Sequence, residues 1–354
     1  MFLTLGFLVL SLVALPCTAF LRTAPNVSSS DYSFTQFGAV ANVKNVVAYN
    51  GTGIKSYWWA NFFQGTNGHS YCVVITSANS GPNDTVSSLS VTDLNTGYHF
   101  GTSVIEPGQL STTKFEGKSS VLHVGSTAAD EFSQTYAVST LPEFKFDLQW
   151  VPKGPILYQG GSGFFEFGAD LAYTFDVVEA LPSGTLVVNG TNVTVVPENS
   201  TTWLDYQWGP GYAIGGWHDW VILLENGVRM QVTVTAPNAA YKQASFTTMV
   251  YPDGHQELWP VKNDTQPRNP WVSSLSNITY YSDYVIDIPL KNTILYSHLP
   301  VKGGETGPSN GSTTANTIAD TFTWINGTFD GLPIKGYGIM ELRENAGCTS
   351  FGAC

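Results

Sequence analysis

The sequence predicts an all-β protein. Short runs rich in Val, Ile, Thr and aromatic residues recur along the chain, and clusters of Gly, Asn, Asp or Pro bound them. Two Asn-Gly pairs, Asn189-Gly190 and Asn226-Gly227, stand between such runs, which is a strong signal for a β-hairpin. No segment shows a helical period, and 35 Gly and 19 Pro interrupt the chain. Many short strands with regular turns favour β-barrels or sandwiches.

The length of 354 residues suits two domains. A Gly- and Phe-rich stretch ends at the segment EALPSG, residues 179–184, and a new series of hairpins follows it. We therefore expect an N-terminal β domain over 20–180 and a C-terminal β domain over 181–354.

The first 19 residues have the pattern of a secretory signal peptide. An apolar run extends from Phe2 to about Leu15 and ends at Pro16, and the small residues Cys17 and Ala19 fit a cut after residue 19. The run is short for a membrane span, and no other stretch is long and apolar enough to cross a bilayer. We expect a protein that is secreted or resides in the lumen of the secretory pathway or vacuole.

Ten Asn-x-Ser/Thr sequons support the secretory prediction, because this tripeptide is the acceptor for N-glycosylation. The acceptor residues are Asn26, Asn50, Asn83, Asn189, Asn192, Asn199, Asn263, Asn277, Asn310 and Asn326.

After signal removal three cysteines remain, Cys72, Cys348 and Cys354. An odd number in an oxidising compartment leaves one thiol unpaired or available to another molecule. We expect one disulfide, which joins either Cys72 to a tail cysteine or Cys348 to Cys354.

Charge and motifs exclude several function classes. The formal charge is −12 and only 12% of residues are charged, whereas nucleic acids and anionic membranes attract basic surfaces. The six histidines are dispersed, and no zinc signature, phosphate loop, dinucleotide fingerprint or Gly-x-Ser-x-Gly elbow occurs. We expect neither a metal nor a cofactor.

The segment TWLDYQWGPGYAIGGWHDWVILLENG, residues 202–227, contains four of the ten tryptophans. A two-residue turn at Asn226-Gly227 would place Asp219 opposite Val234 on an aliphatic face. The other face would carry His218 and Trp220 opposite polar residues. Inward Asp219 would have a raised pKa and suit acid catalysis, whereas inward His218 and Trp220 would line an aromatic pocket.

The preceding strand alternates in the same way. One face carries Trp203, Asp205 and Gln207, and the other carries Leu204, Tyr206 and Trp208. Each of these residues could simply fill the core or cap a turn, but together they favour the wall of a pocket.

Four stretches, in this order, resemble the carotenoid 1,2-hydratase/hydroxyneurosporene synthase family, whose secreted fungal branch includes kievitone hydratase and lipocalin-like Diels–Alderases. They are SYWWANFFQGTNGHSYCVVI (56–75), STTWLDYQWG with WHDWVILLENG (200–227), NPWVSSLSNITYYSDYVIDIP (269–289) and GLPIKGYGIMELR (331–343).

The resemblance implies two lipocalin-like β-barrel domains and cofactor-independent chemistry on a hydrophobic small molecule. Asp205 falls on the aspartate of the family's motif, but Tyr206 stands where the family has arginine. The segment YSDY at 281–284 also lacks the family's Tyr-Pro and Trp.

Three functions follow, of which a Diels–Alderase is the first. Cycloaddition needs an apolar cavity and one or two hydrogen-bond donors. The walls would come from Trp58, Trp59, Trp203, Trp208, Trp217 and Trp220, and the donors from His218, Tyr337 and Arg343. The alternative is a hydratase, in which Asp205 or Asp219 donates a proton and Tyr206 or His218 orients the water. A lipocalin-type carrier would need the tryptophans alone.

Overall fold

The computed structural model describes residues 42–51, 53–79, 83–307 and 317–343. Several predictions fall outside these residues: the signal segment 1–19, the sequons Asn26 and Asn310, and the cysteines Cys348 and Cys354. Within the described residues, two antiparallel sheets account for nearly all the regular structure, which confirms the all-β prediction.

The N-terminal sheet has thirteen strands. They are β1 (Ile54–Gln64), β2 (Ser70–Asn79), β3 (Asp84–Asp93), β4 (His99–Pro107), β5 (Glu116–Lys118), β6 (Leu122–Ser126), β7 (Thr135–Ser139), β8 (Phe146–Pro152), β9 (Ile156–Tyr158), β10 (Phe164–Glu166), β11 (Leu171–Val188), β12 (Thr191–Thr194) and β13 (Thr201–Gly209). The main order is β4-β3-β2-β1-β13-β11-β8-β7-β6-β5, and β9, β10 and β12 pair with β11.

The C-terminal sheet has ten strands. They are β14 (Trp217–Leu224), β15 (Arg229–Thr235), β16 (Ser245–Val250), β17 (Gln256–Pro260), β18 (Arg268–Val272), β19 (Thr279–Ile288), β20 (Thr293–His298), β21 (Glu305–Thr306), β22 (Ile318–Phe329) and β23 (Leu332–Arg343). The main order is β17-β16-β15-β14-β23-β22-β20-β19-β18, and β21 pairs with β22.

Helical structure is confined to short segments. The helix α1 (Val43–Ala48) begins after Asn42, whose side chain accepts a hydrogen bond from the backbone N–H of Asn45 at 3.0 Å. Three-residue 3₁₀ turns occur at Gln159–Gly161, Pro197–Asn199 and Pro289–Lys291. No helix among the described residues has the length and apolarity that a membrane span requires.

Lysine 55 ties α1 to the N-terminal sheet. This side chain is fully buried, and its Nζ donates to the carbonyl oxygens of Val47 at 2.6 Å, Tyr49 at 3.2 Å and Ser111 at 2.8 Å. The valines of α1 pack on the core of the same sheet. The helix is therefore held by both apolar contacts and hydrogen bonds.

Each sheet curls around its own apolar core, and a third cluster packs one sheet on the other. Trp59, Tyr206 and Phe175 belong to the N-terminal core, and Trp220 to the C-terminal core. Strands β1, β13 and β14 lie at the interface and are buried on both faces, as is the second half of β23.

The change from one sheet to the other comes between Gly209 and Trp217. The predicted boundary at 180/181 falls inside β11, where the sequence EALPSG looks like a break. In the structure, β11 continues with a register shift between Val177 and Ala180 and with φ of 125° at Gly184. The irregular composition marks a bend where β11 changes its neighbours, rather than a linker.

The two Asn-Gly turns differ. Asn189 and Gly190 both have positive φ and join Val188 to Thr191, as in a two-residue type I′ turn. At the other pair only Gly227 has positive φ (89°), and the backbone N–H of Leu224 donates to Val228 O at 3.0 Å.

The second loop therefore has three residues, and the predicted hairpin register is wrong by one position. Asp219 lies opposite Thr233 instead of Val234, and His218 lies opposite Val234. As a result, Asp219 has a polar cross-strand neighbour where an aliphatic one was predicted, and His218 has an aliphatic neighbour where a polar one was predicted. Because Asn226 keeps a negative φ, a type I turn followed by a left-handed glycine replaces the predicted type I′ turn.

Candidate active site

A cavity of about 500 Å³ lies between the two sheets. Side chains from both sheets line it, and they include four carboxylic residues and Arg343. A largely apolar cleft that gathers a few ionisable groups is the usual form of a small-molecule site.

The N-terminal sheet contributes two adjacent carboxyl groups, here called the N-terminal carboxyl pair (Asp176 and Asp205). The two residues are direct cross-strand neighbours on β11 and β13. Thr174 Oγ1 donates to Asp205 Oδ1 at 2.7 Å, and Gln159 Nε2 donates to both Asp176 oxygens at 3.1 Å. Asp205 lines the cavity, whereas Asp176 is fully buried beside it.

The pair shares a proton. Burial, together with the charge of Asp205, raises the pKa of Asp176 well above its usual range. Burial also raises the pKa of Asp205, but hydrogen bonds from Asp176 and Thr174 oppose the rise. Asp176 is therefore the protonated member and Asp205 the ionised one.

The C-terminal sheet contributes the C-terminal carboxyl row (Asp219, Glu341 and Asp320). Glu341 on β23 is the cross-strand neighbour of both Asp219 on β14 and Asp320 on β22. Besides burial, the charge of Asp205 raises the pKa of both Asp219 and Glu341. Trp58 of the N-terminal sheet lies close to Asp320 across the interface. The row and the pair thus face each other across the cavity.

The central Glu341 has the environment of an anion. Trp217 Nε1 donates to its Oε1 at 2.6 Å, Asp320 also hydrogen-bonds it, and the positive charge of Arg343 is close. Burial and the charge of Asp205 raise the pKa of Glu341, and these three contacts oppose the rise without cancelling it. Charge-assisted hydrogen bonds are the stronger class, so the glutamate is the ionised member of the row.

The two flanking aspartates are held in the protonated state. Burial and the charge of Glu341 raise the pKa of Asp219 and of Asp320 well above the usual range. Oδ1 of each of these aspartates is buried and has no hydrogen-bond partner. A neutral carboxylic acid in a cavity is a proton donor, and Asp219 is the one that is partly accessible there.

Aromatic residues surround the charged end of the cavity. The guanidinium of Arg343 lies 4.6 Å from the ring centroid of Tyr212 and 5.1 Å from that of Trp217. Phe167 packs on Trp217 at 5.1 Å between ring centroids. The rings hold Arg343 beside Glu341, which precedes it by two residues on β23.

The structure brings together half of the residues that the sequence singled out. Those that line the cavity are Trp58, Asp205, Trp217, Asp219, Trp220 and Arg343. Those that lie elsewhere are Trp59, Trp203, Tyr206, Trp208, His218 and Tyr337.

His218 illustrates why the second group is separate. It is fully buried on the face of β14 opposite to Asp219, and its Nδ1 lies 3.1 Å from Thr265 Oγ1 inside the C-terminal core. Alternation along this strand predicted that only one of its faces points inward. Both faces are buried, because β14 is covered by its own core on one side and by the N-terminal sheet on the other.

Tyr206 also belongs to a core and not to the cavity. Its ring stacks on Phe175 at 4.7 Å, and its hydroxyl has no hydrogen-bond partner. Tyr337 packs against Phe62 at 5.0 Å in the cluster between the sheets.

Cys72 is a free, buried thiol whose pKa burial raises. The disulfide stays a prediction, because Cys348 and Cys354 lie outside the described residues.

Sequence reasoning missed Asp176, Asp320 and Glu341. Each stands alone in an otherwise apolar strand, in TFDVV, IADTFTW and GIMEL. An isolated acid in a strand that is buried on both faces is costly unless it is paired or protonated, and this pattern was the available signal. The described residues contain no cluster of His, Cys, Asp or Glu that could hold a metal ion.

Two proteins of known name are similar in sequence to this chain. No protein-family model matches the chain. Kievitone hydratase of Fusarium solani subsp. phaseoli is 23% identical over 290 residues, which cover 81% of either protein. Dehydratase asqC of Emericella nidulans is 23% identical over 222 residues, which cover 60% of this chain and 62% of that protein.

Solved structures show the same fold. The crystal structure of kievitone hydratase from Nectria haematococca aligns with a TM-score of 0.77 at 18% identity, over 87% of this chain and 94% of that one. A putative AttH from Nitrosomonas europaea aligns with a TM-score of 0.70 at 17% identity, over 84% and 94%. The chain is thus a homologue of kievitone hydratase and dehydratase asqC, an all-β enzyme of the hydratase and dehydratase type.

Proposed function

We propose that the protein is a cofactor-independent hydro-lyase that adds water to, or removes it from, a hydrophobic small molecule. The observation that carries this proposal is the set of carboxyl groups, two on one sheet and three on the other, that the strand pairing gathers at one cavity. Burial raises their pKa values to different degrees, which favours a mixture of protonated and ionised groups. Water addition to an alkene needs a proton donor and a base that activates water, and the two sheets supply one of each.

The roles follow from the environments. Asp219 donates its proton to one alkene carbon, and the Glu341 carboxylate stabilises the positive charge that develops on the other. Asp205 accepts a proton from the attacking water. The proton then returns from Asp205 to Asp219 through the cavity, so that the cycle leaves the enzyme unchanged. Dehydration is the same sequence in reverse.

The cavity favours hydration over the Diels–Alder reaction that the sequence suggested first. Cycloaddition needs apolar walls and one or two hydrogen-bond donors. It has no use for the five carboxyl groups that the two sheets bring to the cavity. Burying them is costly, and acid–base catalysis is a function that would justify the cost. The names of the two relatives point to the same chemistry.

Kievitone, the compound in one relative's name, is the first substrate to test. Incubation in water labelled with heavy oxygen should yield a product that has gained one water and carries the label. A Diels–Alderase would form a ring without gaining water, and a carrier would leave the compound unchanged; either result would refute the proposal.

The variants Asp219→Asn and Asp205→Asn test the roles. Each should lower kcat about 10²- to 10⁴-fold, the usual contribution of a general acid or base, with little change in binding. Asp283→Asn is the matched control, because Asp283 pairs with His298 at 2.6 Å on the outer side of the sheet. Full activity of Asp219→Asn would contradict its role.

We also propose that the chain enters the secretory pathway. All eight described sequon asparagines are exposed, as glycosylation requires. Expression with the native N-terminus in a fungal host should give protein in the medium that begins after residue 19 and whose mass falls on glycosidase treatment. Retention of the intact N-terminus would argue against this route.

A further inference from the structure

The wall of the cavity that β2, β3 and β4 form has a distinct chemistry. Three hydroxyl-bearing residues, here called the hydroxyl row (Thr76, Ser88 and Ser103), lie on the adjacent strands β2, β3 and β4 and line the cavity. Thr76 is the cross-strand neighbour of Ser88, and Ser88 of Ser103. Direct cross-strand neighbours share a face of the sheet, so the three form a continuous line.

The row can still bind a ligand. Ser88 Oγ and Ser103 Oγ lie 2.6 Å apart and exchange one hydrogen bond. Two hydroxyls together offer two donors and four acceptor lone pairs, so this bond leaves one donor and several acceptor positions. The row can therefore both donate to and accept from one further hydroxyl group.

The surroundings favour an uncharged group with an apolar body. No charged residue of β2, β3 or β4 lines the cavity. The neighbouring line on the same face consists of Ala78, Val86 and Ile105, which are successive cross-strand partners. A carboxylate or phosphate would find no counter-charge on these strands, whereas a phenol would find both a hydroxyl partner and an apolar surface.

The row also lies at a defined distance from the chemistry. The chain of cross-strand partners runs from Asp205 through Trp58 and Thr76 to Ser88, which is three strand steps. At about 4.8 Å per step this gives about 14 Å along the sheet between the backbones of Asp205 and Ser88, and less in a straight line because the sheet curls. Trp58 stands between them and provides an aromatic wall.

We propose that the hydroxyl row binds a neutral hydroxyl group, such as a phenol, at one end of an elongated substrate whose alkene reacts at the carboxyl groups. The position of the alkene rests on the proposed function, but the binding of the hydroxyl end does not. The substrate class is then a neutral hydroxylated molecule with about 10 to 14 Å between its hydroxyl group and the reacting carbons.

Binding can be measured without turnover, because Trp58 and Trp217 line the cavity and report on it by fluorescence. The probes are a para-alkylphenol and its methyl ether, which lacks the donor hydrogen. The wild-type protein should bind the phenol about 3- to 10-fold more tightly than the ether, as one net hydrogen bond predicts. The double variant Ser88→Ala/Ser103→Ala should lose this preference and bind the ether as before.

Ser87→Ala is the matched control, since Ser87 lies on the same strand but on the opposite face, 2.8 Å from Ser119 Oγ. It should keep the preference. Equal binding of phenol and ether by the wild type, retention of the preference in the double variant, or no binding of the phenol would overturn the proposal.

Turnover separates this inference from the proposed function. A series of alkenylphenols with graded distances between hydroxyl group and double bond should hydrate fastest near the predicted span. A phenol preference without hydration of any member would refute the hydro-lyase and leave the hydroxyl row supported. Hydration without any phenol preference would refute the hydroxyl row and leave the hydro-lyase supported.

Discussion

The hydrogen bond from Trp217 to Glu341 gives a quantitative test of the charge distribution in the site. Replacing Trp217 with Phe removes the Nε1 donor, which lies 2.6 Å from Glu341 Oε1, but keeps an aromatic ring against Phe167 and Arg343. A hydrogen bond to a charged group contributes about 1.5 to 3 kcal/mol. At 1.36 kcal/mol per pKa unit, its loss should raise the pKa of Glu341 by about one to two units.

The sign of the effect on activity follows from the role of the glutamate. Glu341 and the base Asp205 must both be ionised, so activity falls as pH decreases through their pKa values, and only that of Glu341 depends directly on Trp217. In Trp217→Phe the acidic limb of the kcat/KM profile should therefore move to higher pH by about one to two units. The alkaline limb, where Asp219 loses its proton, should stay in place because Glu341 is ionised there in both proteins.

The assay is the initial rate of water addition over a range of pH. Trp324→Phe serves as the control, since this indole is 44% exposed and lies outside the cavity lining; its profile should match the wild type. An acidic limb that does not move in Trp217→Phe would refute the assignment of Glu341 as the ionised group, as would an equal shift of both limbs.

Three further predictions concern residues away from the charged end. Lys55→Met should lower the free energy of unfolding in urea by about 2 to 4 kcal/mol, because it leaves buried carbonyls without a donor, whereas the exposed Lys118→Met should not. Tyr206→Phe should leave stability unchanged or raise it by up to about 1 kcal/mol, because the hydroxyl is unpaired, and kcat should not change. His218→Gln should lower Tm but leave the pH profile of activity unchanged, because the imidazole lies in the C-terminal core; a moved limb would contradict this placement.

The all-β class and the existence of a functional cavity could be predicted from the sequence, because both depend on local pattern. The Asn-Gly pair marked a hairpin correctly, but its register depended on whether Asn226 adopts a positive φ. That choice is made by the pairing of whole strands, so the dipeptide alone could not determine it.

Only half of the predicted site residues line the cavity, and there is a physical reason for this. Alternation along one strand separates Asp219 from His218, but it does not say which face meets the cavity when both faces are buried. Glu341 and Asp320 become part of the site through cross-strand pairing, which joins Glu341 to a residue 122 positions away in the sequence. Such pairing leaves no signal in a local window of sequence.

The division of the carboxyl groups between facing sheets has a stereochemical consequence. With the roles proposed above, an alkene that lies flat between the two sheets would present one face to Asp219 and the opposite face to Asp205, because these residues line the cavity from different sheets. Hydrogen and hydroxyl would then be delivered from opposite sides, which makes the addition anti and the reverse elimination anti as well. The packing of the two sheets against each other would thus determine the configuration of the product.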